Sequence, residues 1–178
     1  MSSDSMRALA MFETWVRRLN NLFTFIARVL VMVIVVVIIL AIVTREMGIG
    51  LIWANDVAQI AFVYVAFLSF GPALQTGQHV TVELFEPIVP APLRKHLDAI
   101  AAFACLLFGS VFLYQLWNLT GRAFADGRMA NMAISIELKW IQVAGPLGVA
   151  LFCLTALQQL ISSIVRGERR RQGTGGHA

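Results

Sequence analysis

The chain has 178 residues, of which 58% are hydrophobic and only 13% are charged. Soluble globular domains usually carry about 25% charged residues, so this composition excludes an ordinary soluble domain and is typical of an integral membrane protein. The formal net charge is +4, but the arginines flank apolar segments instead of forming a stripe with interleaved aromatic side chains, which argues against nucleic-acid binding.

Residues 1–22 are predicted to form an amphipathic helix that lies on the membrane surface. We expect Trp15 at the depth of the lipid headgroups and Arg17 and Arg18 toward the phosphates, so that these three residues anchor the helix. The alternative is an ordinary helix packed on another subunit. At 100° per residue, the apolar face consists of Leu9, Met11, Phe12, Trp15, Val16, Leu19, Leu22 and Phe23, and the polar face of Glu13, Thr14, Arg17, Arg18, Asn20 and Asn21.

Four apolar stretches are long enough to cross a bilayer, whose hydrocarbon core needs about 20 helical residues. Together they form a predicted transmembrane domain over residues 23–165. In lipid only a helix satisfies the backbone of a lone segment of this length. The predicted fold is therefore all-α, with four transmembrane helices after the surface helix. The four spans cover residues 23–43, 52–76, 97–120 and 140–165.

The distribution of Lys and Arg predicts the orientation of the chain. Most of these residues lie in the N-terminal segment, in the loop between the second and third spans, and in the tail. The positive-inside rule therefore places that loop and both termini in the cytoplasm, as expected for a multi-pass protein of a bacterial inner membrane. The basic tail, residues 166–178, is predicted to be disordered.

Chemistry within a membrane needs ionisable groups at depth, and the four predicted spans offer few. His79, His96 and His177 fall in the cytoplasmic loop or tail, so the sequence predicts no intramembrane haem ligands. Cys105 and Cys153 each lie within an apolar run, which disfavours a disulfide or a reactive thiol pair. We expect no catalytic residue, no metal site and no cofactor.

Polar residues at the two ends of the second span are the candidate sites for partner contact or structure. Asn55, Asp56 and Gln59 form a patch at its outer start. Asp56 is either a first-turn acid favoured by the helix dipole or a contact to a partner subunit. At the inner end, His79 and Glu83 share one face whether the segment is helical or extended. Two possible ligands are too few for a typical metal site, so we expect them to fix the loop by hydrogen bonding.

The sequence leaves the protein contacts of the chain open. The outer segment 121–137 either touches a periplasmic protein or is a solvated connection. Gly71, Gly109, Gly145 and Gly148 permit close helix approach, but they do not indicate which helix meets a partner.

The chain resembles the small membrane subunit of tripartite ATP-independent periplasmic (TRAP) transporters, the DctQ-like or Q subunit. The resemblance rests on the surface helix, the four spans, and two motifs at the ends of the second span. Asp56 stands where a Glu is common in the family, and Glu83 where an Asp is common, and both keep the charge. The motifs are Trp53-Ala54-Asn55-Asp56 and Gly77-Gln78-His79-Val80-Thr81-Val82-Glu83.

This resemblance implies a secondary transport system of three parts. A periplasmic substrate-binding protein captures an organic acid, and the large permease subunit carries it inward by symport with sodium. The small subunit braces the large one as a scaffold within a heterodimer and has no enzymatic activity. Family resemblance also puts the sodium and substrate sites in the large subunit, so none of those residues is expected in this chain.

Two alternative functions come from other classes of membrane protein. An autonomous small four-helix exporter should carry an acid at mid-membrane in its first helix, and residues 29–43 contain none. A membrane redox-complex subunit would bind haem or flavin, which an absorption spectrum of the purified protein would reveal.

Overall fold

A computed structural model of the protein describes residues 3–76, 91–127, 129–130 and 132–174. The described residues are almost all helical and contain no β-strand, apart from one isolated antiparallel bridge between Met129 and Glu137. The predicted all-α class is confirmed. The helices are α1 (Ser3–Glu46), α2 (Ile52–Leu68), α3 (Phe70–Thr76), α4 (Ala91–Asp126), α5 (Leu138–Gln142) and α6 (Ala144–Thr174).

Helix α1 is a single continuous helix of 44 residues. At 1.5 Å per residue it is about 66 Å long, which is roughly twice the thickness of a hydrocarbon core. The sequence divides this region at residue 22 into a surface helix and a first span, and α1 has no break at that position. About half of α1 therefore exceeds what one crossing of the membrane requires.

Three stretches are long and apolar enough to cross a membrane, namely Ala10–Glu46, Ile100–Asp126 and Leu138–Ile164. A fourth arises if α2 and α3 count as one span, because they meet at a bend of 41°. Ser69 lies at that bend and donates its hydroxyl to the Val65 carbonyl at 2.7 Å, a bond that favours helix bending. Pro72 follows and has no backbone N–H to donate to the preceding turn.

The helices form an open layer in which α1, α2 and α6 contact one another and α4 packs against α6 at one edge. Helix α6 contacts α1, α2, α4 and α5, whereas α4 contacts neither α1 nor α2 within the described residues. Most of the buried apolar positions are alanines, which allow helices to approach closely in lipid. The buried alanines are Ala27, Ala54, Ala61, Ala102, Ala123, Ala144 and Ala156.

Helices approach one another closely at the four glycines whose positions permit it. A Cβ atom added at Gly148 would lie 2.1 Å from the carbonyl oxygen of Phe67, so α6 lies directly on the backbone of α2. A Cβ atom at Gly71 would lie 2.7 Å from Oδ1 of Asn20. Two further glycines face side chains of neighbouring helices at similar distances: Gly109 and Gly145. All four close approaches are therefore made within this chain.

Helix α6 continues to Thr174, beyond residue 165 where the sequence predicts the last span to end. Residues 166–174, for which the sequence predicts disorder, are thus helical in the structure. Arg, Glu and Gln have high helix propensity, and adding them to an existing helix avoids the cost of nucleation.

Candidate functional site

Asp56 holds the outer segment of the chain against α2. Its side chain is buried, and its Oδ2 accepts a hydrogen bond from the backbone N–H of Ile134 at 3.1 Å. Because α2 begins at Ile52, Asp56 lies beyond the first turn of the helix. The interpretation of Asp56 as a first-turn acid favoured by the helix dipole is therefore wrong, and its partner is a backbone amide 78 residues along the chain.

The outer segment itself is folded rather than extended. Met129 and Glu137 form the antiparallel bridge, the N–H of Ala130 donates to the Ile136 carbonyl at 2.9 Å, and that of Ile136 to Ile134 at 2.8 Å. Asp56 therefore binds the middle of a compact turn.

The start of α5 is held to α2 and α4 by a second set of contacts. The hydroxyl of Tyr64 donates to the carbonyl of Trp140 at 2.7 Å. Lys139 pairs with Glu137, and its Nζ lies 5.7 Å from the ring centroid of Phe124, within the range of a cation–π interaction. These contacts tie the start of α5 to the middle of α2 and to the last turns of α4.

The structure does not bring Asn55, Asp56 and Gln59 together as one patch. Asn55 and Gln59 are exposed, whereas Asp56 points toward the outer segment. Asn55 lines an open cleft of about 430 Å³ between α1 and α2, and Arg45 lines the same cleft from α1. The three residues are close in sequence, but they do not face the same part of the structure.

The other predicted site residues have separate outcomes. Trp15, Arg17 and Arg18 are all exposed, and 67% of the Trp15 surface is accessible. Whether they lie at a membrane surface stays a prediction. His79 and Glu83 lie outside the described residues.

Asn20 is the structural residue that sequence reasoning missed. The sequence predicts it on the polar face of the N-terminal helix, but only 1% of its surface is accessible. Its Nδ2 donates to Oγ1 of Thr155 at 3.0 Å, and that hydroxyl donates to the Leu151 carbonyl at 2.8 Å. The placement of Asn20 on the polar face is therefore wrong. The available signal was the spacing of Val16, Asn20 and Ala27, which are buried on one side of α1.

Gln159 extends this buried polar contact to α3. It is 8% exposed, and its Nε2 donates to the carbonyl of Leu74 at 3.1 Å. We call Asn20, Thr155 and Gln159 the amide cluster. Polar side chains buried in an apolar environment need hydrogen-bond partners, and in this cluster the partners come from different helices. The amide cluster therefore joins α1, α3 and α6.

The described residues contain no group of three or more His, Cys, Asp or Glu side chains that could hold a metal ion. Both cysteines are free thiols. The two polar sites, at Asp56 and in the amide cluster, fix the helices and the outer segment relative to one another. Their chemistry is hydrogen bonding between parts of the chain.

Comparison with known proteins identifies the family. The model of the family described as "Tripartite ATP-independent periplasmic transporters, DctQ component" matches residues 34–166. The chain is 28% identical over 109 residues to the sialic acid TRAP transporter permease protein SiaT of Haemophilus influenzae (strain 86-028NP), which covers 61% of this chain and 17% of that protein.

A second relative is the C4-dicarboxylate TRAP transporter small permease protein DctQ of Rhodobacter capsulatus. It is 25% identical over 126 residues, which cover 70% of this chain and 55% of the relative. The chain thus matches about half of one curated relative and under a fifth of the other. Because the family match covers well over half of its length, this multi-pass membrane protein belongs to the DctQ component family of TRAP transporters, whose members are transporter subunits and not enzymes.

Proposed function

We propose that the protein is the small integral membrane subunit of a TRAP-type secondary transporter. It braces the large permease subunit, in a heterodimer, during sodium-driven uptake of an organic acid delivered by a periplasmic binding protein. The family match favours this function over the two alternatives, an autonomous exporter and a redox subunit.

The observation that carries the proposal is the open arrangement of the helices. Helices α1 and α4 both contact α6 but do not meet each other within the described residues, and large apolar side chains are exposed along both. An open layer of this kind offers a broad apolar surface to a larger membrane protein. A closed bundle would bury that surface in its own core.

The polar groups of the chain support the same function. Oδ2 of Asp56, Nδ2 of Asn20 and Nε2 of Gln159 each take part in a hydrogen bond within the chain, whereas the amide oxygens of Asn20 and Gln159 are buried without a partner in the described residues. Such contacts stiffen a scaffold, because each one joins two elements that are far apart in sequence. The similarity to 17% of the SiaT permease also means that a related segment occurs as part of a much longer chain.

We also propose that the protein crosses a bacterial inner membrane four times, with both termini in the cytoplasm. The second span then consists of the bent pair α2 and α3, and the distribution of Lys and Arg sets the orientation. Trp15, Arg17 and Arg18, which are exposed on the part of α1 that exceeds one crossing, are the proposed contacts to membrane lipid.

The test of the bracing function is transport by a reconstituted system. Proteoliposomes would contain the large subunit with or without this chain, a sodium gradient, and the binding protein loaded with substrate. We expect uptake only when this chain is present. Full uptake by the large subunit alone would show that the chain does not brace it.

The identity of the partner has its own test. A tagged version of the chain would be purified in mild detergent from its native membranes, and co-purifying proteins would be identified by mass spectrometry. We expect a much larger polytopic protein in near-equal amount. Recovery of the chain alone, or only with copies of itself, would contradict the heterodimer.

A further inference from the structure

Helix α4 lies at one edge of the helix layer and presents a regular stripe of residues away from α6. Successive members are separated by steps of four and three residues, the spacing at which one helix packs along another. Phe108 and Val111 in this stripe are 65% and 58% exposed. We call this set the α4 stripe, and its members are Ala104, Phe108, Val111, Gln115, Asn118 and Arg122.

Gln115 gives the α4 stripe a polar group within the predicted third span. Its side chain is exposed and makes no hydrogen bond with the described residues. It lies seven residues before Arg122, or about 10 Å along the helix axis. Because helical side chains tilt toward the N-terminus of their helix, the Gln115 amide leans away from Arg122 and toward the apolar middle of α4.

An amide in this position is poorly suited to contact with lipid. Its N–H and C=O groups lose hydrogen bonds to water and find none in hydrocarbon. In membranes, polar side chains of this type usually bond across helix interfaces. Ser110, also exposed on α4, differs because its hydroxyl donates to its own helix at the Leu106 carbonyl, at 2.7 Å.

The opposite edge of the layer has a different composition. Helix α1 exposes side chains all along residues 29–43, including Met32 and Val36, and every residue of that stretch is apolar. Lipid chains can cover such a surface without leaving any polar side chain unbonded. Arg28, just before this stretch, is also exposed, but its long side chain can reach back to the interface. The α4 edge is therefore the one whose exposed amide favours a contact with protein.

We propose that the α4 stripe packs against a transmembrane helix of the large permease subunit, and that the Gln115 amide hydrogen-bonds to a polar side chain or backbone carbonyl of that helix. This inference rests on the proposed function and adds the contact surface. The edge formed by residues 29–43 of α1 faces lipid in the complex.

Site-specific photo-crosslinking in native membranes tests this placement. The photoreactive residue p-benzoylphenylalanine would be introduced at Val111 in the α4 stripe, or at Val36 in α1 as the matched control, since both are exposed valines. We expect the Val111 position to form a covalent adduct with the large subunit and the Val36 position to form none. The tagged chain is also purified from the same samples without irradiation. The amount of large subunit that co-purifies then shows whether each variant still forms the complex.

The possible results separate the two proposals. An adduct only from Val36, with the large subunit still co-purifying, overturns the α4 stripe as the interface and leaves the proposed function intact. Adducts between copies of this chain at Val111 overturn the choice of partner. Absence of any co-purifying large subunit contradicts the proposed function.

A pair of substitutions tests the role of the Gln115 amide. Gln115→Leu should weaken retention of the large subunit in detergent by about threefold or more, as expected for one interhelical hydrogen bond in a membrane. Ser110→Ala, on another side of the same helix, should leave retention unchanged. Equal retention by Gln115→Leu and the unaltered chain would overturn the hydrogen bond, and a melting temperature for each variant separates misfolding from lost contact.

Discussion

Single polar residues tie distant parts of this protein together, and Asp56 and Asn20 are the two best defined. Asp56 accepts from the backbone of Ile134, and Asn20 donates to Thr155. In each case a buried side chain forms a hydrogen bond with a different structural element. Loss of either side chain should therefore act at a distance from the substituted position.

The substitution Asp56→Ala should loosen the outer segment. It leaves the part-buried N–H of Ile134 without its acceptor, at a cost of about 1 kcal/mol, the lower end of the range for a buried group. Hydrogen exchange measured by mass spectrometry in detergent should then speed up in the peptide that contains Ile134. Asp56→Asn keeps an acceptor oxygen and should retain most of the protection. Unchanged exchange in Asp56→Ala would mean that the bridge at residues 129 and 137 holds the segment by itself.

The pair Asn20 and Thr155 can be measured by a double-mutant cycle. We expect Asn20→Ala and Thr155→Ala to show a coupling free energy of about 0.6–2 kcal/mol, the range for hydrogen bonds between membrane helices. Thermal unfolding in detergent gives the four stabilities that the cycle needs. Strictly additive effects would contradict a direct bond between α1 and α6.

At the scale of the helices, close approach depends on positions where a side chain is absent. Gly148 brings α6 onto the backbone of α2, whereas Gly121 on α4 has nothing within 4 Å of an added Cβ atom. The two glycines look alike in the sequence, since both lie in long helices. Only their surroundings differ.

These two glycines give a matched pair of substitutions. Gly148→Ala should separate α2 from α6 and destabilise the protein by about 1–3 kcal/mol or more, because the added methyl group meets backbone that cannot turn aside. Gly121→Ala should be neutral or slightly stabilising, since Ala has the higher helix propensity. Melting temperatures of both variants in the same detergent check this. Equal losses would indicate a general intolerance of the helices to Ala rather than a close crossing.

For the whole molecule, the orientation of the chain decides which ends of the helices face the cytoplasm and which face the periplasm. The folded outer segment carries Met129, which is 63% exposed, and the opposite end of α1 carries the exposed Arg7. If the termini are cytoplasmic, these two positions lie on opposite sides of the membrane.

Cysteine labelling in intact cells tests this orientation. In a background of Cys105→Ala and Cys153→Ala, a cysteine from Met129→Cys should react with a membrane-impermeant maleimide applied from the periplasm. A cysteine from Arg7→Cys should react only after the inner membrane is permeabilised. The reverse pattern would overturn the orientation deduced from Lys and Arg, while equal labelling before permeabilisation would show that both positions face the periplasm.

The helical class and the apolar stretches were predictable, because each follows from local composition and spacing. Residues 29–43 are apolar without interruption, and lipid leaves a helix as their main option. The family could also be named from short motifs around α2, including Trp53 to Asp56, and the family match over residues 34–166 agrees.

What the sequence by itself determined is therefore the class of protein, its long apolar helices and its family. Only the tertiary structure decided that Asn20 is buried, that Asp56 binds the backbone at Ile134, and that α4 keeps an amide exposed at its free edge. The physical reason is range. Hydropathy and helix propensity act over a few turns, whereas the bond from Asn20 to Thr155 spans 135 positions and exists only once α1 and α6 have packed together.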